Sequence, residues 1–383
     1  MAGRAAILPG QPPHPGGSEL IAFIVGTTAE LIKIAPVYHE LSRRGRRAEI
    51  WYTGQHVDEL ADCLRDLDLP APHQWLIPER SARNLARPAD VPRWVTLLTA
   101  TVLRHQRALR RRLRSDGTPP IVLVHGDTFT CPIGAVVGRI LGARVGHIEA
   151  GLRSGSLRHP FPEEINRRVA GRLVHVHFPP TPLEAENLRG RRGPVVVTGA
   201  NTIIDAVRYA LANPRPATLE LPAEYAVATL HRYELVSHPE LYRAVLEELR
   251  QYAAKLPIVY FAGASERERL AQYDLLDIFD GDTFRIEHKL SYVSFLPILA
   301  RARFVVTDSG GMQEECAHLN IPCAVHRDRT ERHDGVGRQV VVTGFDIGVL
   351  REFLDDPDRL RMPPAETTPY PSRTIVETLV ATG

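Results

Sequence analysis

Acids, histidines and glycines in this 383-residue chain collect just past short β-branched runs. After IAFIV come Gly26, Thr27 and Thr28, with Lys33 two helical turns further on. After EIWY come Thr53, Gly54, Gln55 and His56, and after IVLVH come Gly126, Asp127, Thr128 and Thr130. ARVG leads to His147 and Glu149, AVATL to His231 and Arg232, and FVVT to Asp308, Ser309, Gly310 and Gly311. In open parallel sheets ligands bind beyond the carboxyl ends of the strands, so these tips are where chemistry would sit. DSGG, between a strand and a helix, predicts a phosphate cradle. Glycine admits a ligand to the backbone, and unbonded N–H groups at the helix start favour an anion. Glu315, one turn on, is placed to accept from ribose hydroxyls. A tight turn before an acidic helix start is the plain alternative.

The densest charge lies in GHIEAGLRSGSLRHPFPEEINRRVAG, residues 146–171. Pro160 and Pro162 precede Glu163 and Glu164, a helix start with acid in its first turn. The i,i+4 pairs Glu163–Arg167 and Glu164–Arg168 account for both glutamates as helix stabilisers. Adjacent helical positions point about 100° apart. The expectation is therefore that Glu163 faces a site and Glu164 faces solvent. Glu149, at a strand tip, has no such helix-start role. His175 and His177 share one face of a strand, but no third ligand can be nominated. They are expected to be structural, with no metal. No GxGxxG follows a strand and no GxxxxGK[ST] occurs, so neither a nicotinamide cofactor nor a P-loop is expected.

Strand-like runs alternate with longer helical patterns throughout, which predicts an α/β fold of parallel sheets covered on both faces. There are too many such units for one sheet. Two doubly wound, Rossmann-like domains are expected, residues 21–200 and 201–371, joined near Thr198–Asn201 or slightly later. Residues 1–20 are expected to be a disordered leader. In LRHQRALRRRLRS, Leu103, Leu109 and Leu113 fall at helical spacing, with the arginines on the outer face.

A formal charge of +2 and the absence of interleaved aromatics or a nucleic-acid module point away from nucleic acid. No apolar run of about 18 residues occurs, so no membrane span is expected. Only three lysines stand against 44 arginines, which singles out Lys33. Four cysteines without a CxxC pair suggest neither disulfides nor zinc, and so the cytoplasm.

Taken in order, GTTAELIKIAPV, TGQH, VHGDTFT, GHIEAGLRSG, HPFPEEINRR, VTGANTIIDAV, LHRYE, TDSGGMQEE and RTER resemble the non-hydrolysing UDP-N-acetylglucosamine 2-epimerases. The likeness runs from about Ile21 to Arg332 and more weakly into TIVETL. It implies two Rossmann-like domains in the glycosyltransferase-B arrangement with the active site in the interdomain cleft. It also implies a C-terminal helix, about 372–383, crossing back to the first domain, and a homodimer with a UDP-sugar substrate and no cofactor. The implied reaction epimerises C2 by eliminating UDP to 2-acetamidoglucal and adding it back. By motif, the acid–base groups are Asp127, Glu149, Glu163 and His231. The resemblance further implies that Lys33, Arg167, Ser309, Gly310, Gly311, Glu315 and Arg332 lie around the nucleotide sugar and that Phe295 stacks near uracil. Thr27, Gln55 and His56 join them as candidates from the strand tips. Thr28 stands where the family has a diphosphate-contacting arginine. Gly263–Glu266 and Pro78–Ser81 depart from the segments of a second, activating UDP-sugar site, which implies altered activation. A hydrolysing 2-epimerase releasing free N-acetylmannosamine, a glycosyltransferase of the same architecture, and a non-catalytic binding protein are the alternatives. Thr128 and Thr130 after Asp127 favour the non-hydrolysing branch.

Overall fold

Continuous apolar runs such as IAFIV and IVLVH fold as strands buried along their whole length, as sheets covered on both faces require. The computed structural model describes residues 20–85, 89–114, 119–155, 162–216, 219–363 and 369–381. Its first sheet contains β1 (Ile21–Val25), β2 (Ala48–Tyr52), β3 (Gln74–Trp75), β4 (Ile121–His125), β5 (Arg144–Ile148) and β6 (Val176–Phe178), in the order β3-β2-β1-β4-β5-β6. The second contains β7 (Ala226–Thr229), β8 (Ile258–Ala262), β9 (Phe284–His288), β10 (Val305–Thr307), β11 (Cys323–Val325) and β12 (Val340–Val342), in the order β12-β11-β10-β7-β8-β9. Every neighbouring pair is parallel. Counted from its own first strand, each sheet has the same doubly wound order. The direction of winding reverses between β1 and β4 in one and between β7 and β10 in the other. Those are the positions where such sheets open a crevice at their carboxyl edge.

The chain divides into two units, residues up to 206 with those from 369 onward, and residues 207–368. The division falls inside the helix Ile203–Ala212. Thr198, Asn201 and Thr202, in and beside the stretch expected to act as a linker, are buried parts of the first unit. The helix Pro371–Ala381 also belongs to that unit. Ile375, Val376 and Leu379 are buried, Ser372 N donates to Asp205 (2.8 Å), and Glu377 pairs with Arg44 (3.0 Å). Residues 1–19 of the expected leader and residues 382–383 lie outside the described residues, whereas Leu20 is buried.

The first core packs Ala22, Ile24, Val122 and Val124 with Trp94, Leu98, Val102 and Leu109 of the helix Asp90–Leu113. Here one expectation is corrected. Leu103 is 58% exposed, and Val102 takes the inward position with Leu109 and Leu113. The inward stripe runs Trp94, Leu98, Val102, Leu109 and Leu113, and Leu103 falls beside it. No described helix is long and apolar enough to cross a membrane.

Candidate active site

At the edge of the first sheet the tips after β1, β2, β4 and β5 come together. Gly26 permits this closeness, since a Cβ there would stand 2.3 Å from both the Thr53 and the Thr130 hydroxyl oxygens. Glu149 follows β5 with φ +65, a left-handed conformation that costs energy for a residue other than glycine and clusters at functional sites. Its carboxylate is buried. Oε2 accepts from Lys33 Nζ at 2.5 Å and from Asn201 Nδ2, and His125 Nε2 lies 3.6 Å away. Asn201 is fixed in turn, because its Oδ1 accepts from Ile203 N (3.0 Å). Glu149 Oε1 points to Gly126, 3.9 Å from where a Cβ on that glycine would stand. The next residue is Asp127. Arg167 Nη2 holds its Oδ2 at 2.5 Å, and Asn166 Nδ2 donates to its backbone carbonyl at 2.8 Å. The Asp127 side chain is 20% exposed while the Arg167 side chain is 1% exposed, so the carboxylate reaches the surface over a buried cation. Behind this loop, burial lowers His147 to about 4, which keeps it neutral. Its Nε2 donates to the Gly126 carbonyl at 2.7 Å.

The helix Glu163–Leu173 supplies Asn166 and Arg167, and it reverses one expectation. Glu164 does not face solvent. It is fully buried, and its carboxylate accepts from Ser154 N (3.0 Å) and Arg168 Nε (2.8 Å), with Arg167 Nη1 at 3.5 Å and Arg153 Nε at 3.9 Å. The buried stripe of this helix is polar, whereas Ile165 and Val169 are each 40% exposed. Glu164 therefore aims Arg167, which aims Asp127. Glu163 is half-buried at the helix start.

In the second unit Asp308 is fully buried past β10. Its Oδ2 accepts from His231 N (2.8 Å) and Arg232 N (2.7 Å), and its Oδ1 lies 3.2 Å from His231 Nδ1. Oδ1 makes no hydrogen bond among the described residues, so the carboxylate acts on the imidazole as a buried charge beside it. Asp308→Asn should remove that charge. We expect turnover to fall roughly 10²-fold with UDP affinity nearly unchanged, measured by steady-state kinetics and calorimetry. Unchanged turnover would show that Asp308 only shapes the turn.

Ser309 caps the helix Gly310–Leu319, accepting from Met312 N at 3.4 Å. The first N–H groups of that helix lack intrahelical acceptors. Two buried arginines lie against its start. A Cβ on Gly310 would stand 3.5 Å from Arg332 Nε and 3.7 Å from Arg327 Nη1. Arg332 is paired with Glu314 (3.0 Å) and Arg327 with Glu331 (3.5 Å). Arg327 Nη1 is buried with no hydrogen-bond partner among the described residues, and burial, with Arg232 nearby, lowers the guanidinium from its ordinary value. A helix start beneath two buried cations, one with an unused donor, has the features that favour an anion. Arg327 was missed by the motif reading, although the strand-tip rule would have found it two residues past β11.

The remaining candidates divide. Gln55 is buried, and its Oε1 accepts from Thr130 Oγ1 at 2.8 Å, so it braces two loops. His56 is exposed, and Thr27 is the buried N-cap of the helix Thr28–Arg43. Phe295 is half-buried against Phe261, ring centroids 5.2 Å apart, one turn after Tyr292, whose hydroxyl lies beside Glu315. His175 Nδ1 accepts from Val145 N (2.9 Å), and His177 Nε2 lies 3.1 Å from the Arg192 carbonyl.

Two units, each built on a doubly wound parallel sheet, define an α/β protein of Rossmann-like type. Residues 39–347 match the sequence profile of UDP-N-acetylglucosamine 2-epimerase. The UDP-N-acetylglucosamine 2-epimerase of Bacillus subtilis is 31% identical, over 93% of this chain and 94% of that protein. Among solved structures, the Neisseria meningitidis enzyme bound to UDP-GlcNAc is 26% identical with a TM-score of 0.77, covering 94% of this chain and 100% of that one. The Methanocaldococcus jannaschii enzyme in complex with UDP-GlcNAc and UDP is 26% identical with a TM-score of 0.76, covering 94% and 99%. The chain belongs to the UDP-N-acetylglucosamine 2-epimerase family.

Proposed function

We propose that this protein interconverts UDP-N-acetylglucosamine and UDP-N-acetylmannosamine without net hydrolysis. The observation that carries this reading is the set of acids at the edge of the first sheet, where Asp127 and Glu149 are each held by a different buried cation. A protein that only bound a nucleotide sugar would need no such set. The C2 proton has no adjacent carbonyl to acidify it, so departure of UDP must drive its removal. In the forward step the C1–O bond to UDP breaks and the C2 proton passes to a carboxylate, leaving 2-acetamidoglucal. In the return step the UDP oxygen bonds C1 again, and a proton reaches C2 from the opposite face. Inversion thus needs an acceptor and a donor on opposite faces. Asp127, Glu149, Glu163 and His231 are the groups we assign to these transfers. The Gly310 helix start with Arg327 and Arg332 is assigned to the diphosphate, Glu315 to ribose and Phe295 to uracil. Lys33 orients the Glu149 carboxylate through their contact. Relatives solved with UDP-GlcNAc and UDP support the substrate class, and Thr128 after Asp127 supports the non-hydrolysing course.

Proton NMR of the purified protein with UDP-N-acetylglucosamine tests this. The expected result is a stable mixture of two UDP-linked sugars, reached from either one. Free N-acetylmannosamine rising together with UDP would replace the reading with the hydrolysing course. We further infer a cytoplasmic homodimer from the family resemblance. Sedimentation as a single species of monomer mass would remove that assignment.

A further inference from the structure

We propose that Glu30 is a positioning residue for this reaction, tying the loop after β1 to the loop after β4 so that Asp127 is held for proton transfer. The inference rests on the assignment of Asp127 as an acid–base group. Glu30 sits in the first turn of the helix Thr28–Arg43, where with Thr27 it forms a capping box, an ordinary helix-start device. Its other contact is not ordinary. Oε2 accepts from Gly26 N (2.8 Å), Thr27 N (3.0 Å) and Thr27 Oγ1 (3.1 Å), while Oε1 reaches 98 residues along the chain to accept from Thr128 Oγ1 at 2.9 Å. Thr128 follows Asp127 directly, and its Oγ1 also accepts from Thr130 N (3.2 Å). One carboxylate therefore sets the spacing of both loops across the β1/β4 reversal. Arg167 and Asn166 hold Asp127 from the other side.

This carboxylate is also poised to change charge. It is 2% exposed, and burial raises it from 4.5 to about 7 against the hydrogen bonds that lower it. Among the described residues, its hydrogen-bond donors are Gly26, Thr27 and Thr128, none of them charged. Tyr52 from β2 and Cys131 from the helix Thr130–Ile140 are both pushed up by burial and stay uncharged. Cys63 lies on the helix Leu60–Asp66, and Asp127 lies beyond Thr128. Lys33, on the same helix, is engaged by Glu149. The charges of Glu30, Asp127 and Glu149 add to the effect of burial on the Cys131 thiol. Ionised Glu30 accepts from Thr128. Protonated on Oε1, it donates to Thr128 and reverses that hydrogen bond. Because the folded value exceeds the ordinary one, the protonated form stabilises the fold at low pH, and that contribution is lost as pH rises through about 7.

Two measurements test this. In [15N]threonine-labelled protein, the Thr27 and Thr128 amide signals should titrate together with a midpoint near neutrality, and Glu30→Gln should abolish the shared titration. Independent titration of the two amides, or none between pH 5.5 and 8.5, would overturn the coupling whatever the enzyme's activity. In kinetics, Glu30→Ala should lower kcat roughly 10²-fold with KM little changed, the scale expected when a reacting group is displaced by about 1 Å. Glu30→Gln keeps an acceptor for the helix start, so it should recover most of that loss but flatten the pH dependence of kcat around neutrality. A wild-type pH profile in Glu30→Gln would overturn the proposal and leave the proposed function intact. No turnover by the wild-type chain would overturn the proposed function and the catalytic part of this inference with it.

Discussion

Asp127→Asn should reduce epimerisation roughly 10²- to 10⁴-fold, the range a positioned acid–base group supplies. The amide has the shape of the carboxylate, and its oxygen can still accept from Arg167 Nη2, now 2.5 Å from Oδ2. Arg167 keeps Glu164 as a partner at 3.5 Å, and Asn166 still anchors the Asp127 carbonyl. The loop should therefore persist, with a stability loss of about 1–3 kcal/mol from weakening one charged hydrogen bond. What the amide cannot do is take a proton. Near-normal turnover in a folded variant would show that Asp127 serves only to neutralise Arg167. Thermal unfolding of the variant, measured alongside, separates lost chemistry from lost structure.

Arg327→Met should weaken UDP binding roughly 10- to 100-fold, which corresponds to the 1.5–3 kcal/mol of a charge-assisted hydrogen bond. Methionine replaces much of the buried volume without the guanidinium. Arg327→Lys is the more telling variant. It preserves the positive charge near Glu331 but not the planar fork, and a point charge does not reproduce a fork's geometry. If Arg327 Nη1 donates to the diphosphate, lysine should recover only part of the affinity. Wild-type affinity in both variants would assign Arg327 to the Glu331 pair alone. Calorimetric titration with UDP measures the effect directly, without relying on turnover.

The fold was readable because buried parallel strands leave a strong trace. IAFIV, IVLVH and PIVYFA have no polar alternation, and each is followed by glycine or a polar residue at the sheet edge. The same rule places Asp127, Glu149, His231 and the DSGG turn just past strand ends, where the structure has them. It failed at the helix Glu163–Leu173, where hydrophobic periodicity points the wrong way. That helix buries Glu164, Asn166 and Arg167 and exposes Ile165 and Val169. Its i,i+4 charge pairs suggested a solvated face, and no sequence pattern tells an exposed Glu–Arg pair from a buried one that aims a third residue. Glu30 was hidden differently. As the fourth residue of a T-x-x-E capping box it was fully explained by local structure, so the long-range bond to Thr128 left no separate trace. Asn201 was hidden by its place near an expected linker, although it donates to Glu149 from a buried position.

The central claim is that the acids of the first unit exchange the C2 proton of a UDP-sugar while UDP departs and returns. Incubation with UDP-N-acetylglucosamine in deuterated water, followed by NMR at C2, tests it most directly. Deuterium should appear at C2 of both UDP-linked epimers, and Asp127→Asn should suppress it together with epimerisation. Interconversion of the two epimers with the original C2 proton retained, or no exchange at all by the wild-type protein, would contradict the account.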